Sequence, residues 1–219
     1  MSSYKLTAEA VTKTFGRRLI FKEINFSFQD TGIYGIAGHN GSGKSTLVKI
    51  ITGILSPTKG TIVHQLDGQK IPLEKLHDQI GFVAPYLVLY DEFSAEENLR
   101  HFANIRGIDY DSKRAEYLLN EFKLYDRRLD EVKAYSSGMK QRLKFIFAMM
   151  HSPKLLVLDE PTSNLDNLGK ETVYRLIKSE AASSVVLIAS NEESDLALCQ
   201  EVIQLEKYKN NKEVLNLRQ

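Results

Sequence analysis

Nine consecutive residues, Gly38-His39-Asn40-Gly41-Ser42-Gly43-Lys44-Ser45-Thr46, follow the pattern G-x-x-x-x-G-K-[ST] of a loop that cradles phosphate. The chemistry accounts for the residue types. Glycines let the backbone turn tightly and bring its N–H groups onto phosphate oxygens. Lys44 supplies positive charge for the outer phosphates, and Ser45 a hydroxyl for Mg²⁺. A helix starting here aims its positive end at the anion. His39 and Asn40 fall where the pattern is variable.

A second group lies far along the chain. Leu155 to Leu158 are four apolar residues running into Asp159 and Glu160. A parallel strand delivers its carboxyl end to the crevice where phosphates sit. Asp159 there can hold Mg²⁺, and Glu160 can polarise an attacking water as general base. Alone, the run also suits a strand ending in solvated acids. The phosphate loop is what lifts it above that.

These groups need elements to hold them. Gly32 to Ala37 is short and apolar, as a strand buried on both faces requires, and it ends in the glycine-rich turn. A helix is expected next, with Leu47, Ile50, Ile51 and Ile54 on one stripe and Gly53 near its end. Ile80 to Ala84, Leu155 to Leu158 and Val185 to Ala189 read as further buried strands. Ile24, Phe26 and Phe28 alternate with polar residues, the mark of an antiparallel strand with one wet face. Thr61 to Ile71 reads as a hairpin turning at Asp67-Gly68. Between the buried strands lie helical patterns: Ser94 with Glu97 forms a capping box, Gly107 is placed to stop that helix, and two more stripes follow. The expected fold is α/β: a P-loop core with a mostly parallel sheet, an antiparallel β subdomain and an inserted helical subdomain at about 86–152, all within one domain, 1–219.

Bulk composition narrows the class. The 219 residues are 42% hydrophobic and 26% charged, with 29 basic against 28 acidic residues. That balance does not favour a nucleic-acid binder. The single cysteine, Cys199, reads as a small half-buried side chain. MSSYKLTAEA lacks a signal peptide's apolar run, and no apolar run approaches a bilayer span.

With these two motifs, Tyr135-Ser136-Ser137-Gly138-Met139-Lys140-Gln141-Arg142 resembles the signature of the ABC ATPase family, usually Leu-Ser-Gly-Gly-Gln followed by Lys-Gln-Arg. Ser136 and Gly138 are retained; Tyr135, Ser137 and Met139 are departures. Pro161-Thr162-Ser163-Asn164-Leu165-Asp166 is similar to the family's D-loop. Phe15, before Gly16, falls where the family stacks an aromatic on adenine. The resemblance implies ATP and Mg²⁺ as ligands. It implies a homodimer or a paired ATPase subunit, in which Ser136, Ser137 and Gly138 of one chain meet the γ-phosphate held by the other. It implies an integral membrane permease as partner, and a cytoplasmic place at the membrane's inner face. The short chain is similar to small exporter ATPases, including those of haem exporters of cytochrome-c biogenesis.

Two departures bear on turnover. The family's glutamine after Ile80 to Ala84 is replaced by Pro85, unless the loop is displaced by one residue; proline has no side-chain acceptor and no N–H. The switch histidine is replaced by Asn191, which can hydrogen-bond a γ-phosphate but cannot carry a proton near neutral pH. The expectation is a transporter ATPase that works, but slowly. The alternative is an ATP-gated regulatory or soluble module with little turnover.

Overall fold

A computed structural model describes residues 3–209. Strands β1 (Tyr4–Phe15) and β2 (Arg18–Phe28) lead into β3 (Gly32–Ala37), and helix α1 (Lys44–Ile51) follows the phosphate loop. Then come β4 (Lys59–Leu66), β5 (Gln69–Lys70), the short α2 (Leu76–Gln79) and β6 (Ile80–Val83). Helices α3 (Ala95–Arg106), α4 (Ser112–Glu121) and α5 (Ser137–Met149) precede β7 (Leu155–Asp159). The remainder is α6 (Asn167–Glu180), β8 (Val185–Ser190), the short α7 (Glu193–Leu196) and β9 (Glu201–Gln204).

Two sheets result. One is antiparallel, in the order β2-β1-β4-β5; the other is parallel, in the order β6-β7-β8-β3-β9. The parallel sheet is covered on both faces, and its alternation divides the core. Leu156, Leu158, Val186 and Ile188 pack with residues of α3, α4 and α5. Leu155, Val157, Leu187 and Ala189 pack with α1 and the antiparallel sheet. Each strand thus reads as a continuous apolar run because both of its faces are inside.

Local signals decide the boundaries. Ser94 and Glu97 exchange the capping-box bonds at α3, and Gly107 ends that helix at φ +68°. Asp67 and Gly68 turn the β4–β5 hairpin with φ of 52° and 79°, the primed-turn geometry. One expectation needs correction. Ile54 does not extend the buried stripe of α1: the helix stops at Ile51, Gly53 turns at φ +76°, and Ile54 is 61% exposed. Cys199 is half-buried, and burial pushes its thiol up to about 12, so it stays protonated. Among the described residues no helix is long and apolar enough to cross a membrane.

The antiparallel sheet is pinned to α1 through a buried histidine. His64 on β4 bonds the Tyr4 hydroxyl at 2.6 Å through Nδ1 and the Ile51 carbonyl at 2.9 Å through Nε2. Burial holds its imidazole down at about 4. The ring is therefore neutral at physiological pH: it accepts from Tyr4 and donates to the last turn of α1. That bond fixes the far end of the helix whose first turn carries Lys44 and Ser45.

Candidate functional site

The parallel order brings three loops side by side at the carboxyl ends of β7, β8 and β3. These loops carry Asp159 and Glu160, Asn191, and residues 38–43. At two glycines the phosphate loop depends on the absence of a side chain. Gly43 has φ +109°, and a Cβ there would lie 2.6 Å from Ile20 Cγ2. Gly38 is closed off by the Ser42 hydroxyl, 2.4 Å from an added Cβ. Ser42 is itself buried, and among the described residues its hydroxyl has no hydrogen-bond partner.

Lys44 is 5% exposed, far below the usual exposure of a lysine. Its Nζ donates to the Gly38 carbonyl at 2.8 Å and lies 3.0 Å from Glu160 Oε1. The burial is tolerable because the ammonium has both a carbonyl and a carboxylate. Glu160 is held with φ +51°, an uncommon conformation for a non-glycine residue. Its N–H donates to the Ala189 carbonyl on β8 at 2.8 Å, and its own carbonyl accepts from the Ser163 hydroxyl at 2.9 Å. Such strain persists only where the surroundings over-determine it, and it concentrates at functional positions.

Asp159 is 1% exposed, and among the described residues neither carboxylate oxygen has a hydrogen-bond partner. Burial raises its carboxyl above the usual range; the Ser45 hydroxyl beside it opposes that, as do Lys44 and Lys49, while the charge of Glu160 adds to it. An orphaned carboxylate next to a hydroxyl, at the edge of a phosphate loop, fits a hard divalent cation that takes its other ligands from phosphate and water. Ser45 and Asp159 are the protein groups that would hold Mg²⁺.

Phe15, Asn40, Gly41, Lys44, Ser45 and Glu160 line one open cavity of about 420 Å³, together with Thr46 and Gly43. Phe15 is 51% exposed at its mouth, and Lys13 Nζ sits 4.8 Å from the ring centroid. Lys13 falls at a register shift of β1, and no motif marks it in the sequence. Arg18 and Ile20 also line this cavity and carry no motif that would have marked them. If the ring stacks on a base, Phe15→Ala weakens ATP binding about 5- to 10-fold and Phe15→Tyr restores it, as titration of nucleotide would show.

His39 is exposed, and it is not among the residues lining the cavity. Its backbone N–H instead donates to Glu206 Oε1 at 2.9 Å, a brace from beyond β9 that the sequence reading missed. Ser136 caps α5, its hydroxyl accepting from Met139 N–H at 3.2 Å. Ser136 and Ser137 are exposed, and neither they nor Gly138 line the phosphate cavity of their own chain. Gly138 lies against the loop after Glu160: a Cβ there would be 3.6 Å from the Asn164 carbonyl. Gln141, one turn on, donates to the Pro161 carbonyl at 3.3 Å. Asn191 is exposed at the end of β8. Pro85 is exposed, and its carbonyl accepts from Lys144 at 2.8 Å. The next residue, Tyr86, lies with its ring centroid 4.3 Å from Lys49 Nζ.

Comparison with known proteins follows the same line. The family model described as ABC transporter matches residues 21–163. The uncharacterized ABC transporter ATP-binding protein YdbJ of Bacillus subtilis (strain 168) is 35% identical over 205 residues. That match covers 92% of this chain but 66% of YdbJ, just under two thirds of its length. The lantibiotic transport ATP-binding protein SrtF of Streptococcus pyogenes is 33% identical over 186 residues, 85% of this chain and 79% of SrtF. A bacterial ABC transporter cassette solved as a dimer superposes with a TM-score of 0.80 at 24% identity, covering 91% of this chain and 93% of that one; the likeness is one of fold.

Proposed function

The chain belongs to the ABC transporter family of ATP-binding proteins, and from that premise we propose that it hydrolyses ATP between two such subunits to drive a membrane permease. The observation that carries hydrolysis is Glu160. Its carboxylate stands 3.0 Å from the phosphate-loop lysine, on a backbone held at φ +51°. The pair neutralise each other. A γ-phosphate that takes Lys44 leaves Glu160 free to accept a proton from water. Phosphoryl transfer asks mainly for positioning and charge stabilisation. Loop N–H groups, Lys44 and the start of α1 provide both on the phosphate side. Ser45 and Asp159 would hold Mg²⁺, which would supply charge to neutralise the outer phosphates.

The exposure of Ser136 and Ser137 supports a paired site. A helix N-terminus capped by serine can bind anion, yet these residues lie outside their own chain's cavity. A second ATPase subunit, identical or homologous, brings them to the γ-phosphate. The dimeric cassette of the same fold is in keeping with this.

The permease is proposed to dock at a groove of about 280 Å³ beside α3, lined by Phe82, Leu87, Val88, Tyr90, Phe102 and Ile105. Val88 and Ile105 are 86% and 73% exposed, so core packing does not account for this apolar segment, although Leu89 between them is buried. Asn98 fixes the segment by bonding both the N–H and the carbonyl of Tyr90. By analogy with SrtF we infer an exporter of peptide antibiotics, in preference to haem.

Pro85 and Asn191 argue for slow turnover. If the missing imidazole limits the rate, Asn191→His raises steady-state phosphate release severalfold with Mg-ATP. Wild-type release at background, with ATP still bound, would instead establish the ATP-gated module.

A further inference from the structure

We propose that Asp195 is a positioning residue for ATP hydrolysis, tying the loop that carries Glu160 to the loop that carries Asn191; the inference rests on the ATPase reading above. Asp195 is 0% exposed, and each bond to its carboxylate comes from a hydroxyl. Thr162 Oγ1 donates to it, 3.0 Å from Oδ1 and 3.2 Å from Oδ2. Ser190 Oγ donates to Oδ2 at 2.7 Å, and the Tyr174 hydroxyl to Oδ1 at 2.7 Å. A buried carboxylate is expensive unless it is hydrogen-bonded, and here three hydroxyl protons bond it.

Two of the donors have particular places. Thr162 is two residues beyond Glu160, and Ser190 immediately precedes Asn191. Ser190 Oγ also accepts the Glu192 N–H at 3.0 Å, so its hydroxyl brackets Asn191 from both sides. The direction of that relay is set by the carboxylate. Because Asp195 can only accept, Ser190 must donate to it, and its lone pair is left for Glu192. The loops are also joined through backbone, Glu160 N–H to Ala189 carbonyl at 2.8 Å. That bond fixes the ends of the strands; Asp195 fixes what lies beyond them. The third donor, Tyr174 on α6, serves neither loop and is the internal control.

An amide at position 195 disturbs the relay with little change of shape. Whichever way it points, its NH₂ faces a hydroxyl that now donates. The full-length chain carrying Asp195→Asn, Ser190→Ala or Tyr174→Phe tests this. Expected for the first two is a fall in kcat of about 10- to 100-fold, the scale of a misplaced catalytic group, with the ATP dissociation constant within about twofold of wild type. Tyr174→Phe keeps the wild-type kcat. In nucleotide-free protein, amide exchange at Glu192 speeds up about tenfold or more in Asp195→Asn while Val186 to Ile188 stay protected. If Asp195→Asn fails to fold, Ser190→Ala carries the comparison. Three variants with equal losses of kcat would mean generic destabilisation and overturn the proposal. So would an unchanged kcat in Asp195→Asn, or unchanged exchange at Glu192. Wild-type release no greater than that of Glu160→Gln would sink the ATPase reading instead, and the exchange result would still decide whether Asp195 holds the loops.

Discussion

Glu160→Gln is expected to cut steady-state phosphate release by about 10²- to 10⁴-fold, the range of a lost general base, while leaving ATP bound. The amide cannot take a proton from water. It keeps an oxygen at almost the same place, so the shape of the site survives. It also removes a negative charge 3.0 Å from the Lys44 ammonium, so the lysine meets the γ-phosphate without first leaving an ion partner. ATP affinity should therefore hold or improve. The measurement pairs phosphate release with nucleotide titration on the same preparation. Equal release by wild type and variant, both near background, would end the claim that Glu160 acts as base. Equal and brisk release would pass the role to another group.

Much of this arrangement was legible in the sequence, for reasons that differ by element. The buried strands announced themselves because both faces of the parallel sheet are covered, leaving apolar runs at 32–37, 155–158 and 185–189. The phosphate loop was legible because Gly43, with φ +109° and Ile20 at 2.6 Å, admits no other residue without strain. The hairpin and the α3 cap follow from local chemistry alone. Strand β1 was harder to read. Its pairing with β2 shifts register between Ala8 and Val11 and again near Lys13, so the period of two slips within one strand. Ile54 misled because apolar spacing continues past the glycine that ends the helix.

What the sequence hid is contact between segments far apart in the chain. Glu206 braces the phosphate loop across 167 positions, and Asp195 joins hydroxyls from three different elements. No spacing rule predicts such bonds, because each residue type is common and its role appears only when strands are ordered. The strand order β7-β8-β3 could not be read from periodicity, yet it decides which loops become neighbours. Pro85 is the converse case. The sequence showed a missing acceptor, and the structure shows Tyr86 beside it under Lys49, with burial and then the charge of Asp159 pushing the Tyr86 hydroxyl up to about 12.

Gly138→Asp is expected to fold at least as well as wild type and to lose nearly all phosphate release, by about 100-fold or more. Sterics and electrostatics point in opposite directions here, which makes the variant informative. A Cβ at 138 lies 3.6 Å from the Asn164 carbonyl and 4.0 Å from Leu165 Cδ2, ordinary contact distances. Replacing a helical glycine lowers chain entropy in the unfolded state, and a carboxylate in the first turn of α5 complements the helix dipole. The melting temperature should stay level or rise. The same carboxylate puts a negative charge where a paired site brings a γ-phosphate, and like charges in a closing interface repel. ATP should still bind each subunit, since residue 138 lies outside the chain's own cavity. Combined with Glu160→Gln, which leaves bound ATP unhydrolysed, the test becomes direct. Glu160→Gln alone should form an ATP-dependent dimer in size-exclusion chromatography, and the double variant should elute as a monomer with ATP affinity within about twofold. A double variant that dimerises with ATP would show that the start of α5 does not meet the partner's nucleotide, and the paired site would have to be built from other residues.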